Sequence, residues 1–210
     1  MSRVLATGVG ALSLASGLAA SEPPDAGPLA ADWKGPHGGL PPFDRVEVAH
    51  FKPGFETAIG AYRAEIREIA DQAAPASFDN TIAALEKGGR ALDRVTAVYS
   101  VWSSTMSTPE FRAIEQEIEP KLATLRDEVF QNETLFKRIE AVYQSPDKAS
   151  LTPEQQRLVW LHYTDFVRAG ARLDPAGKAR VAAINQRLAT LYTTFGQNLL
   201  ADEEGYATVI

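Results

Sequence analysis

The chain has three histidines, His37, His50 and His162, and no cysteine. No two of the histidines stand four apart, the spacing at which a helix shows two imidazoles to one ion, and no His-Glu-x-x-His string occurs. One Glu-x-x-His string does, Glu47-Val48-Ala49-His50. Di-iron carboxylate bundles use that spacing, but they need two such motifs and two more glutamates. His162 has Val159 three residues before it. The string is half a site in a stretch without helical period, and coincidence accounts for it. Nucleophilic chemistry finds no seat either. There is no Gly-x-Ser-x-Gly elbow, and no strand precedes Gly88-Gly89 to make a phosphate loop. The carboxylate pairs Glu115/Glu119 and Glu117/Glu128 read as solvated helix surface, balanced by Lys121 and Arg126. Trp33, Trp102 and Trp160 fall mostly at core spacing, so packing outweighs an aromatic binding platform. No catalytic, cofactor-binding or metal residue is assigned.

The elements around these residues are helical. Phe55, Ile59, Tyr62, Ile66, Ile69 and Ala73 recur at steps of four and three, giving one amphipathic face that Pro75 ends. A second segment runs from about Asn80 to Met106. Gly88-Gly89 interrupts it, either as a kink or where another backbone packs close. A third opens at Thr108-Pro109-Glu110 and carries Phe111 to Val129, with Pro120 as a kink. A fourth spans about Asn132 to Tyr143. A fifth opens on Thr152-Pro153-Glu154-Gln155, with capping-box spacing, and stops at Gly170. A sixth opens at Asp174-Pro175 and carries Val181, Ile184, Leu188, Leu191, Phe195 and Leu199. The fold class is all-α, a multi-helix bundle-like domain over residues 43–204.

The ends differ from this body. Val4 to Ala20 is uncharged and follows a single Arg3, with small residues at its far end. Residues 1–20 read as a signal peptide, hence export to a bacterial periplasm; an Ala-rich start to a cytoplasmic protein is the other reading. The run is too short and too Gly-rich for a membrane anchor. Residues 21–42 hold six prolines and read as a linker or extended arm. Tyr206 to Ile210 is β-branched and aromatic, so residues 205–210 read as the start of a strand at which the chain is cut.

Composition narrows the class. Of 210 residues 45% are hydrophobic and 23% charged, which suits one globular domain. Twenty-one basic against 27 acidic residues give a net charge of −6, which argues against nucleic-acid binding.

Four strings in order carry a resemblance: Pro42-Phe43-Asp44-Arg45-Val46 running to His50-Phe51-Lys52-Pro53; Ser77-Phe78-Asp79-Asn80-Thr81-Ile82-Ala83-Ala84-Leu85-Glu86; Leu151-Thr152-Pro153-Glu154-Gln155-Gln156-Arg157-Leu158 with Asp165 to Ala171; and Phe195-Gly196-Gln197-Asn198-Leu199-Leu200. The chain resembles the N-terminal region of the thimet oligopeptidase, oligopeptidase A and peptidyl-dipeptidase (dipeptidyl carboxypeptidase) zinc metallopeptidase family, the bacterial peptidyl-dipeptidase branch fitting best. The resemblance implies a longer enzyme that removes dipeptides from the C-terminus of short peptides. Its zinc, its HExxH motif and its catalytic domain lie beyond this chain, which supplies one wall of a channel. No residue here matches the zinc motif, so the chain alone is expected to be inactive and to have two partners, short peptides and the missing catalytic domain. A free-standing helical module that binds peptides or a partner is the alternative.

Overall fold

The structure, a computed structural model, describes residues 25–34 and 39–205. Seven α-helices follow one another: α1 (Val48–Ala70), α2 (Ala83–Lys87), α3 (Arg90–Thr105), α4 (Pro109–Phe130), α5 (Glu133–Gln144), α6 (Pro153–Arg168) and α7 (Pro175–Gly205). Among the described residues there is no strand, and the architecture is all-α.

The helix boundaries follow from local chemistry. Thr108 Oγ1 accepts from the Phe111 N–H at 3.2 Å, with Pro109 occupying the first helical position. At α6 the Thr152 hydroxyl accepts from the Gln155 N–H while the Gln155 side chain accepts from the Thr152 N–H. Gly170 ends α6 at φ +98°. The Ala171 N–H reaches the Phe166 carbonyl and the Gly170 N–H the Val167 carbonyl, which satisfies two otherwise orphaned oxygens.

Two cores meet along α1. Its first half packs Phe51 and Phe55 against Val98, Tyr99 and Trp102 of α3 and Phe111 and Ile118 of α4. Phe51 is fully buried, with its ring edge-on to Trp102 at 5.3 Å and to Phe111 at 5.1 Å. The second half of α1, from Ile66 to Ala70, joins Ile82, Leu135, Ile139, Val159 and Phe166 in the other core. One helix thus ties both halves of the domain together.

Several expectations are corrected. Helix α1 begins at Val48, seven residues before Phe55, and carries Pro53 in its interior. The second segment is broken at the glycines into a π-helical turn (Phe78–Ile82) with α2, and then α3. Gly89 sits at φ +78°, a conformation that costs other residues about 1 kcal/mol or more. What approaches it is a pair of side chains: its N–H donates to Glu65 Oε2 at 2.6 Å, and a Cβ there would touch the Tyr62 ring. Pro120 lies inside α4 and does not end it, which an expected kink allows. Gly205 belongs to α7 and starts no strand; residues 206–210, like residues 1–20, lie outside the described residues. Within residues 21–42 a 3-10 turn (Gly27–Leu29) docks Leu29 against Gly54, and Asp32 pairs with Arg94 at 2.8 Å.

Candidate functional site: the groove beside α4 and α7

Helix α7 lies along α4, and two clefts of about 540 and 520 Å³ flank the contact. They share Glu119, Ala189 and Tyr192 and so form one groove. At one end α3 contributes Tyr99 and Ser103 to Glu115, Glu119 and Gln197. At the other, Arg126, Asp127, Arg168 and Asn185 line an apolar floor of Leu122, Phe130 and Val181.

This geometry overturns the reading of Glu115/Glu119 as solvated surface. Glu115 is buried, and its two oxygens accept from Ser103 Oγ at 2.5 Å and Gln197 Nε2 at 3.1 Å. Glu119 accepts from the Tyr99 hydroxyl at 2.8 Å. Burial, reinforced by the Glu119 charge, raises the Tyr99 phenol far above its ordinary value, so it stays protonated and donating. The sequence signal for this was indirect: Glu115 and Glu119 alternate around α4 with Glu117, so one pair must face inward if the other faces out.

Glu117 and Glu128 do point to water. Glu117 takes Lys52 at 2.7 Å and Lys121 at 3.0 Å, and these bonds lower its carboxyl below the usual range. Glu128 forms a two-bond pair with Arg63, at 2.7 and 2.9 Å. Lys121 therefore balances an acid as read, whereas Arg126 lies over the Phe130 ring at 5.5 Å. Trp102 is buried in the first core and Trp33 packs against its edge, while Trp160 is partly exposed under Arg157.

No catalytic set assembles here. Ser103 has a carboxylate partner but no imidazole to take its proton, and each Glu115 oxygen already accepts a structural hydrogen bond. Zinc does not fit the described residues either, because no three His, Asp or Glu side chains converge. His50 Nδ1 accepts the Glu47 N–H at 3.0 Å, so Glu47-x-x-His50 is the cap of α1, in a helical turn rather than an unstructured stretch. His162 Nε2 lies 2.7 Å from Glu86, and His37 lies outside the described residues. What the groove offers is an open trough with carboxylates at one end and guanidinium groups at the other.

Sequence reasoning also missed a polar hub in the second core. Arg138 is buried and donates to the carbonyls of Gln72 and Ala74 and to Asn80 Oδ1, at 2.9–3.0 Å. Asn80 Oδ1 accepts the Ser77 N–H as well. The Ser77 to Ile82 string is thus a clamp that fixes the turn between α1 and α2. An arginine flanked by apolar helix positions was the only cue.

Comparison with known proteins places this architecture. Residues 55–178 match the N-terminal domain of the neurolysin/thimet oligopeptidase family. Over 161 residues the chain is 36% identical to a dipeptidyl carboxypeptidase of Salmonella typhimurium, covering 77% of this chain and 24% of that protein. Its counterpart in Escherichia coli is 35% identical over 170 residues, covering 81% and 25%. Oligopeptidase A of Escherichia coli is 25% identical over 171 residues, again covering 81% and 25%. The chain spans about a quarter of the length of these relatives. With the family's domain matched from within α1 to the start of α7, the chain belongs to the neurolysin/thimet oligopeptidase family, as its N-terminal domain.

Proposed function

We propose that this chain is the N-terminal, channel-wall domain of a zinc-dependent dipeptidyl carboxypeptidase acting on short peptides, with the hydrolytic centre in polypeptide not contained in these 210 residues. The observation that carries the reading is the 35–36% identity to two proteins named dipeptidyl carboxypeptidase over about four-fifths of the chain. The lack of a converging metal set among the described residues is compatible with it. Zinc, when bound in such an enzyme, polarises a carbonyl and activates water. The role left for this domain is mechanical: two cores joined by one long helix make a rigid wall. Export to the periplasm, read from residues 1–20, is part of the same proposal. Among the described residues no helix is long and apolar enough to cross a membrane.

The test is to sequence beyond codon 210 and express the whole reading frame. Chelator-sensitive release of C-terminal dipeptides, and an HExxH motif downstream, are the expected results. A stop codon at 211 with a stable, zinc-free product in the cell would overturn the reading and leave the free-standing binding module in its place.

A further inference from the structure

Helix α1 begins on a titratable cap, and the arm of residues 25–34 docks on that cap. Among the described residues, three helix starts have a side chain three positions on that accepts the N-cap N–H. Two of them use carboxamides: Asn80 Oδ1 accepts the Ser77 N–H at 2.9 Å, and Gln155 Oε1 accepts the Thr152 N–H at 3.0 Å. Carboxamides do not titrate. At α1 the same place is taken by an imidazole, His50 Nδ1 accepting the Glu47 N–H at 3.0 Å. That bond needs a bare lone pair on Nδ1, so the ring is neutral with its proton on Nε2.

The opposite edge of the ring carries the arm. Gly27, at φ +53°, lies so close that a Cβ on it would stand 2.7 Å from His50 Cδ2 and 2.8 Å from Nε2. On either side of Gly27 the arm is anchored by buried Ala26 and Leu29 and by the Asp32–Arg94 pair. A second proton puts an N–H on Nδ1, facing the Glu47 N–H. The ring then has to turn, and Gly27 fills the space into which its far edge would swing. A cation in the first turn also opposes the helix dipole. The charged groups on the elements that meet here have other company. Asp25 accepts the Gly27 N–H, Asp32 holds Arg94 of α3, and Lys52 holds Glu117 of α4. Glu47, Lys34, Asp44 and Arg45 are exposed, where water and salt screen them.

We propose that this joint is a pH-sensitive latch: protonation of His50 at Nδ1 loosens residues 25–34 from α1. Docking is full above the ordinary imidazole range, around pH ~6.5, and weakens below it, because the docked arm excludes a proton that the released arm binds. The proposal does not rest on the peptidase reading.

The chain has no cysteine, so one introduced thiol reports the arm alone. Ala26→Cys places it at a buried arm position, and Ala30→Cys at an exposed one as the control. Labelling by a pyridyl disulfide is normalised to a free thiol at the same pH. From about pH 7.5 to about pH 5.5, above the carboxylate range, labelling of Ala26→Cys should speed up about fivefold, the weight of one helix cap. Ala30→Cys should not change. The midpoint should coincide with the titration of the His50 ring followed by NMR. Adding His50→Gln, which puts a carboxamide at the cap as at Asn80 and Gln155, should keep Ala26→Cys protected at both pH values. Adding His37→Gln or His162→Gln should leave the response intact. Labelling of Ala26→Cys that does not change between the two pH values overturns the proposal. So does a midpoint away from the His50 titration, or an equal response in the His50→Gln background.

Discussion

Replacing Arg138 by Met tests whether the turn between α1 and α2 is held by one guanidinium. The substitution keeps the aliphatic stem and removes three hydrogen bonds of 2.9–3.0 Å, to the Gln72 and Ala74 carbonyls and to Asn80 Oδ1. A buried oxygen left dry costs about 1–3 kcal/mol, so three of them bound the loss near 9 kcal/mol. Three terms reduce it. Residues 71–75 are exposed, so water can reach the freed carbonyls. Asn80 Oδ1 also keeps its Ser77 and Thr81 donors. The guanidinium itself pays desolvation in the native state, and its Nε is buried without a partner, so Met recovers something there. The net loss is about 3 kcal/mol, which for a domain of this size lowers Tm by about 6–12 °C. Circular dichroism melts of wild type, Arg138→Met, Asn80→Ala and the double variant measure it. A coupling energy above about 1 kcal/mol is expected, because the two residues share a bond. An Arg138→Met variant melting within 2 °C of wild type would refute the clamp. So would an Arg138→Lys variant indistinguishable from wild type, since one ammonium cannot span all three acceptors.

Three further outcomes follow from single features. Gly89→Ala should lose about 1 kcal/mol or more, seen as a lower urea midpoint with unchanged slope, because Ala disfavours φ +78° and its methyl meets the Tyr62 ring. Glu117 and Glu133 have carboxyls lowered below the ordinary 4.5 by Lys52 with Lys121 and by Lys178 respectively. On acidification the unfolded chain takes up those protons first, so their stabilisation is full above pH 4.5 and is lost as pH falls through the lower folded values. Both groups are solvent-exposed, so the effect on Tm should be small and should shrink further in about 0.5 M salt; a Tm that rises on acidification would contradict the ion pairs. Last, the dialysed chain should hold no stoichiometric zinc by metal analysis and release no dipeptides; tight one-to-one zinc would mean a ligand set that the described residues do not show.

Much of the helical plan was legible because it rests on local chemistry. A threonine or asparagine hydroxyl or carbonyl at a helix start, proline after it, and glycine at the end act within four residues, and Thr108, Thr152 and Gly170 do what their spacing implies. Helix α1 shows where locality fails. Periodicity from Phe55 onward misses its first turns: the helix starts at Val48 and carries Pro53, buried, five residues in. The polar sites were illegible for the same reason. Whether a glutamate meets water or a serine is decided by α3 and α7, 12 and 82 residues away from Glu115, and periodicity along α4 alone carries no information about them.

Helix α7 separates two quantities that a sequence pattern merges. An apolar stripe at steps of three and four states that a face will be buried, but not what will bury it. For α1 the burying surface lies within the domain, and Phe51, Phe55 and Ile59 are covered by α3 and α4. For α7 the same spacing from Ile184 to Leu199 is left in water, while small and polar residues make the contact with α4. Sharing more close approaches with α4 than any other helix pair makes, α7 is not loosely attached, so its exposed stripe does not arise from poor docking. The contact runs through small and polar residues such as Ala182, Asn185 and Ala189, and the larger side chains of the stripe stay outside it.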